Sequence, residues 1–159
     1  MAKQKKKNSK DGTPTIENRR ARHDYFIGDE LEVGVKLVGT EVKAVRDGNV
    51  SLKEGYISVD HEELTLHNVT IGEYPPAGQV QHAMSRRRRL LAHKREIKRL
   101  ARQVDQKGVT LIPLKLYFKD GFAKILLGVG TGKAQHDKRQ SIKERDMDRD
   151  LRRAMSKRV

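Results

Sequence analysis

Residues 110–129 read TLIPLKLYFKDGFAKILLGV. Ile112, Leu114, Leu116 and Phe118 fall on every second position, the period of a strand that turns one face to a core. Lys119-Asp120-Gly121 is turn chemistry, and residues 122–129 supply a returning strand, so the stretch predicts a β-hairpin. Pro113 cannot donate to a strand ladder, which predicts a sheet edge or a bulge at that point.

Upstream, Leu31, Val33, Val35 and Leu37 alternate with Glu32, Gly34, Lys36 and Val38, the pattern of a half-buried strand. Gly39-Thr40 breaks it. Thr40 can cap a short helix that Gly48 ends, with Val42 and Val45 on one face; a strand over the same residues is the alternative. Residues 50–59 and 63–71 read as two further strands joined near Asp60-His61, and residues 74–78 (YPPAG) as a loop. Residues 86–107 predict a long helix, with Leu90, Leu91, Ile97, Leu100, Ala101 and Val104 forming its apolar stripe and Gly108 stopping it. Tyr25 and Phe26 precede the first strand, and Phe26 is expected in the core. About five short strands with one long and one short helix indicate a mainly β fold, a small closed barrel with peripheral helices. Five strands and basic charge suggest the OB type, a step that rests on fold analogy.

Hydrophobic and charged residues each make up 35% of the 159 residues, which is lean for a packed domain and leaves some of the chain outside the core. The absence of cysteine excludes disulfides, thiolate metal sites and thiol catalysis. No apolar run reaches the length of a membrane span, and MAKQKKKNSK has no apolar stretch behind its charges, so neither a membrane role nor a secretory leader is expected. A bacterial cytoplasm or a eukaryotic nucleus is the expected compartment.

The net charge of +14 is unevenly placed: residues 1–22 carry +6, 24–85 carry −7, 86–107 carry +8, 108–131 carry +2 and 132–159 carry +5. Three separated basic blocks point to a polyanionic partner, RNA or DNA. Aromatic residues are only 4%, too few for a multi-base stacking sheet, so recognition of the backbone and shape of a folded RNA is favoured. Asn18-Arg19-Arg20-Ala21-Arg22-His23-Asp24-Tyr25-Phe26 places guanidinium groups beside an imidazole and aromatic rings, a set able to hold phosphates and stack on an unpaired base. Arg86 to Arg89 open the predicted helix, where four cations oppose the helix dipole; phosphate contact accounts for them better than helix energetics.

Catalytic chemistry finds no support. Gly128, Gly130 and Gly132 before Lys133 miss the Walker A spacing, and Ala134 stands where a hydroxyl would bind magnesium, so these glycines are expected to form a hinge. The six histidines show no metal-ligand spacing, and there is no nucleophile elbow. No catalytic residue, metal or cofactor is expected. The organisation expected is a disordered basic tail over 1–13, an RNA-binding barrel over 14–131 with the helix 86–107 inserted, and a flexible basic tail over 132–159. In that tail Ile142, Met147, Leu151 and Met155 are spaced for a helix that forms on a partner.

Five stretches in order, NRRARHDYF (18–26), GTEVKAVR (39–46), RLLAHKREI (89–97), LKLYF (114–118) and GKAQHDKR (132–139), resemble the SmpB family of bacterial trans-translation. Ala44-Val45, Ala92 and Ala134 depart from that pattern without removing a motif. The resemblance implies an OB-type barrel that binds the tRNA-like domain of tmRNA (SsrA RNA). It also implies delivery of tmRNA to stalled ribosomes, contact with small-subunit rRNA at the decoding centre, and EF-Tu as a partner reached through aminoacylated tmRNA. Family positions for tmRNA binding match Asn18, Glu32 and Leu91. With their basic and aromatic surroundings the expected tmRNA set is Asn18, Arg19, Arg20, Arg22, His23, Tyr25, Glu32, Leu91, His93, Lys94, Lys119, Lys124 and Lys133. Leu91 has an equal claim to packing the helix on the barrel. His136, Asp137, Lys138 and Arg139 match the family's decoding-centre elements. A generic ribosome-associated or assembly protein with an OB-like barrel is the alternative function.

Overall fold

A computed structural model describes residues 12–156. In chain order it contains β1 (Ile16–Glu17), α1 (Arg19–Asp24), β2 (Tyr25–Val35), α2 (Gly39–Arg46), β3 (Val50–Ser51), β4 (Tyr56–Asp60) and β5 (Glu63–His67). There follow β6 (Thr70–Ile71), β7 (Arg88–Leu91), α3 (Lys94–Val104), β8 (Val109–Lys119), β9 (Phe122–Gly132) and α4 (Gln135–Ser156). The expected tail over 1–13 falls almost wholly outside the described residues.

The quoted hairpin forms. β8 and β9 pair antiparallel across Asp120 and Gly121, both at positive φ (52° and 78°), the backbone that a tight two-residue hairpin turn demands. Antiparallel pairing then runs β8–β4–β5–β7–β2–β9 and returns from β9 to β8, so the strands close into a ring. β1 adds outside β8, and β3 and β6 pair separately. The ring interior is the main core: Val33, Ile57, Leu64, Leu90, Leu111 and Leu127 are all at most 3% exposed. Burying one such side chain contributes about 1.5–3 kcal/mol.

Pro113 does mark a bulge: Pro113 pairs with Leu127 but Lys115 with Leu126, leaving Leu114 as the extra residue. This corrects the shared face expected of the first hairpin strand. Leu116 and Phe118 enter the ring core, whereas Ile112 and Leu114 turn outward into a second cluster with Ala21 of α1, edged by Tyr25, Ile27 and Leu126. The same cluster corrects the expected hinge. Gly128 and Gly130 lie inside β9, and a Cβ on either would come within 2.8 Å of Leu114 and Ile27 or 2.7 Å of Ile112. They are bare because the outer cluster packs directly on the strand.

Residues 39–46 are helical, but the cap is not the Thr40 side chain. Val38 is the N-cap residue, and its backbone N–H donates to the Glu41 carboxylate at 2.9 Å. Residues 50–59 and 63–71 each break into two short strands. The predicted helix over 86–107 is the largest correction. Residues 88–91 are a strand, and only residues 94–104 are helical, opened by His93 with Glu96 accepting from its backbone N–H. Leu90 and Leu91 therefore point to opposite faces of a sheet: Leu90 is 2% exposed, Leu91 55%. Arg88 is fully buried, donating to Glu41 at 2.8 Å and to the Val69 and Met84 carbonyls. Arg86 makes two further bonds to the same carboxylate. Two of the four arginines assigned to phosphate thus hold the fold together.

α4 is helical in the chain alone, where helix was expected only on a partner. None of its described residues is buried. Ion pairs Asp146–Arg149, Asp148–Arg152 and Asp150–Arg153 space its opposite charges along the helix surface. Among the described residues, no helix is long and apolar enough to cross a membrane.

Candidate nucleic-acid interface

Two connected patches gather most of the predicted site residues on the outer face of β7, β2, β9 and β8. The first follows from strand register. Leu91 lies opposite Gly34, Gly34 opposite Lys124, and Lys124 opposite Tyr117, so one row crosses four strands. Glu32 stands two residues before Gly34 on the same face, as the alternation predicts. Its carboxylate accepts from the Tyr117 hydroxyl and from Lys119 Nζ at 3.2 Å. The Tyr117 hydroxyl lowers the Glu32 pKa; partial burial opposes this, and Lys119 and Lys124 reinforce it. Burial and the neighbouring carboxylate push the Tyr117 hydroxyl up, so it stays a donor through the physiological range. Gly34 leaves Leu91 standing clear: a Cβ there would lie 3.3 Å from that of Leu91. The patch therefore offers an anchored carboxylate, two lysines and an exposed leucine side by side.

α1 builds the second patch. Asn18 is buried; its Oδ1 accepts from Ala21 N, and its Nδ2 donates to the Leu52 and Pro113 carbonyls at 3.0 Å each. It caps the helix and ties it to the barrel, so its side chain does not face outward. Ala21 seals the outer cluster, which turns Arg19, Arg20 and Arg22 to the surface. Arg19, Arg22, Lys115 and Arg145 surround a concavity of about 320 Å³. His23 Nδ1 lies 2.9 Å from Asp24, and Lys138 and Arg20 pair with the same carboxylate. The His23 hydrogen bond leads the lowering of the Asp24 pKa, against partial burial. Tyr25 is half-buried against the outer cluster. Phe26, expected in the core, is 53% exposed with Lys133 Nζ 4.8 Å from its ring centre, a cation–π contact. The β2 register turns Phe26 outward because its partner on β9 is Thr131, beyond the last buried pair.

The remaining predicted residues sit apart. His93 and Lys94 are exposed at the start of α3, beyond Leu91. His136 and Arg139 are exposed on the first turns of α4, with Asp137 and Lys138 partly covered. Lys133 Nζ and Arg145 Nη2 both donate to the Arg22 carbonyl at the end of α1, which moors α4. Sequence reasoning missed Tyr117 and Arg145. Tyr117 was legible: it lies between Leu116 and Phe118, on the opposite side of a strand whose inner face was already assigned.

The family model described as SmpB protein matches residues 15–157. The chain belongs to the SmpB family. An SsrA-binding protein of Lactobacillus delbrueckii subsp. bulgaricus is 50% identical over 148 residues, 93% of this chain and 97% of that one. SsrA-binding proteins of Levilactobacillus brevis and Listeria welshimeri are 46% and 43% identical over 98% and 93% of this chain, covering 98% and 96% of their own lengths. A solved structure described as "tmRNA-SmpB: a journey to the center of the bacterial ribosome" matches with a TM-score of 0.67 at 43% identity. That match covers 81% of this chain and 94% of the other. The strand ring with helices outside it is accordingly the SmpB architecture, as the sequence resemblance implied.

Reversing the charge of Glu32 is expected to weaken RNA binding more than it weakens the fold. Glu32→Lys sets a third cation against Lys119 and Lys124 and releases Tyr117, on a surface already 34% exposed at Glu32. Melting should shift by no more than a few degrees, while affinity of the folded protein for a folded RNA should fall at least tenfold. A collapse in melting with normal affinity in the folded fraction would make Glu32 a structural residue only.

Proposed function

We infer that this chain is an RNA-binding adaptor of trans-translation. It binds the tRNA-like domain of tmRNA, goes with it to stalled ribosomes in the cytoplasm, and performs no catalysis itself. Family membership over residues 15–157 carries the reading, supported by a relative named for SsrA binding that covers 93% of the chain. The outer face of β2, β8 and β9 supplies the chemistry. Lys119, Lys124, Arg19, Arg20, Arg22, Lys133 and Arg145 hold phosphates, Glu32 accepts hydrogen bonds from a base or ribose, and Leu91 packs on an exposed sugar or base. Asn18 acts through α1, by fixing where the three arginines stand. His136 and Arg139 are free to meet small-subunit rRNA when α4 swings from the barrel. EF-Tu is met through aminoacylated tmRNA.

Binding to tmRNA should be strongly salt-dependent, because each neutralised phosphate releases a counterion. With about six contacts, affinity should fall by about three orders of magnitude between about 50 and 200 mM salt. Filter binding with tmRNA and bulk tRNA in parallel makes the check. A flat salt response contradicts the electrostatic reading, and equal affinity for both RNAs favours a generic ribosome-associated protein.

A further inference from the structure

On the side of α1 away from the Glu32 patch, a cavity of about 350 Å³ opens between that helix and the β3–β4 turn. Tyr25 and Tyr56 line it, together with Arg20, Lys53, Asp24 and Glu54. Three features distinguish it from the basic face. Its charges balance, two cations against two acids, so it does not offer the uniformly positive surface that tracks a phosphate backbone. Its aromatic component is held in place: Tyr56, 43% exposed, stacks on His67 with ring centres 4.8 Å apart and planes 6° from parallel. The Ser58 hydroxyl donates to Asp60 at 2.8 Å and lies 2.9 Å from His67 Nε2, so with the ring protonated there it accepts from His67 and fixes the imidazole under the tyrosine.

The third feature is the turn itself. Gly55 is packed so closely that a Cβ would lie 2.6 Å from Val69 and 2.9 Å from Pro113. The turn that carries Lys53 and Glu54 is thereby clamped against the barrel. Across the cavity mouth Arg20 reaches both Asp24 (3.0 Å) and Glu54 (2.9 Å), so its guanidinium is already positioned. A preformed cavity of this size, with a flat tyrosine ring braced by His67, two cations able to hold phosphate and acids able to accept from exocyclic amino groups, matches a single nucleotide unit.

We propose that this cavity takes one unpaired nucleotide, its base stacked on the Tyr56 ring that His67 braces and its phosphate on Lys53 and Arg20. The proposal rests on the RNA-binding reading only for the source of that nucleotide. A folded tmRNA would then be gripped by its backbone at the basic face, and one extruded base, from tmRNA or from rRNA, would be read here.

The test uses the full chain and a tetraribonucleotide carrying 2-aminopurine, whose fluorescence reports stacking. Saturable quenching is expected, with His67 ring proton signals shifting on the same titration. Tyr56→Ala should weaken the tetranucleotide at least tenfold, and Tyr56→Phe, which keeps the ring, should retain it. Absence of saturable quenching at millimolar oligonucleotide, or equal quenching by a folded Tyr56→Ala chain, overturns the proposal. Affinity of the unaltered chain for intact tmRNA is measured alongside. If tmRNA binds and the tetranucleotide does not, this inference alone fails; if tmRNA does not bind, the proposed function fails. The natural chain has no cysteine, so Glu54→Cys with a thiol-linked photoprobe labels one position. Cross-links to an unpaired base of tmRNA alone, or of rRNA only when ribosomes are present, name the source. Cross-links confined to duplex RNA overturn the assignment.

Discussion

Truncation after Lys133 is expected to leave tmRNA affinity within a few-fold of the full chain and to abolish tagging of stalled nascent peptides. The basis is where contacts fall. Every strand, α1 and the Glu32 patch end by Gly132, and α4 buries none of its described residues. The polar contacts of α4 with the barrel include, among the described residues, Lys138 on Asp24 (3.5 Å), Arg145 on the Arg22 carbonyl (3.2 Å) and Ser141 near Lys133 (3.3 Å). Exposed contacts of this kind add little stability. Loss of Arg145 from the edge of the α1 concavity would account for a decrease of that size. His136, Asp137, Lys138 and Arg139 go with the helix, and with them the contact proposed at the decoding centre. Replacing Asp137, Lys138 and Arg139 together by Ala should give the same separation less completely. Quantitative tmRNA binding beside a tagging assay decides it: loss of most of the affinity, or tagging without the tail, refutes the division of labour. Hydrogen exchange on the free protein gives a second measure. The last turns of α4 should exchange nearly as fast as a free peptide, since helices in proteins owe most of their stability to a packed apolar face and none of the described α4 residues is buried.

Glu41→Ala is expected to cost about 3–5 kcal/mol of folding free energy, because it strands the fully buried Arg88 guanidinium without its counter-charge. At roughly 2–4 °C per kcal/mol for a chain of this size, melting should fall by about 6–20 °C. Replacing Glu41 and Arg88 together with Met should cost much less, since then no charge is left in the core. RNA affinity of the folded fraction should be unchanged in both. A melting shift below about 3 °C for Glu41→Ala would show that water reaches the pair. Burial pushes the Glu41 carboxyl up, but hydrogen bonds from Arg86 and the Val38 N–H, with the charge of Arg88, outweigh it, and its net shift is downward. The folded carboxyl pKa thus lies below the unfolded one. Its stabilisation is complete above the unfolded glutamate range and is lost as pH falls through the folded value. Glu32 shifts in the same direction, so acid should loosen both sites together.

Period-two alternation made β2 and the β8–β9 hairpin readable, because a strand with one wet face writes its facing directly into the sequence. Glu32 on the outer face followed from that alone. Residues 86–91 misled for a physical reason. Arg88 occupies a core position that a hydrophobic residue would ordinarily fill, and its counter-charge, Glu41, lies 47 residues away. No local pattern announces a buried ion pair, so the run looked like a solvated helix start. Leu91 was misplaced with it, and once in the strand it faces outward beside Gly34 and Lys124. The glycines of β9 misled in the opposite way. Their need is to make room for Ile112 and Leu114, which only the bulge at Leu114 brings to that side. Asn18 stood out only through family likeness; its cap partner Ala21 is three residues away, but the Leu52 and Pro113 carbonyls that tie it to the barrel are distant in sequence, so its buried position was not legible.

The ring has a consequence for how the protein is made. Its seam joins β2 to β9, pairing Tyr25 with Gly132, residues more than a hundred positions apart. Synthesis proceeds from the N-terminus, so β2 must wait with one edge unsatisfied until almost the whole barrel sequence exists. A chain abandoned before Phe122 carries open edges on both β2 and β8, the kind of exposed backbone that pairs with other chains. The β8–β9 turn is then the step that commits the fold. Once Asp120-Gly121 brings β9 back along β8, the same strand presents its other edge to β2, and the ring shuts in one movement while α4 is still to come.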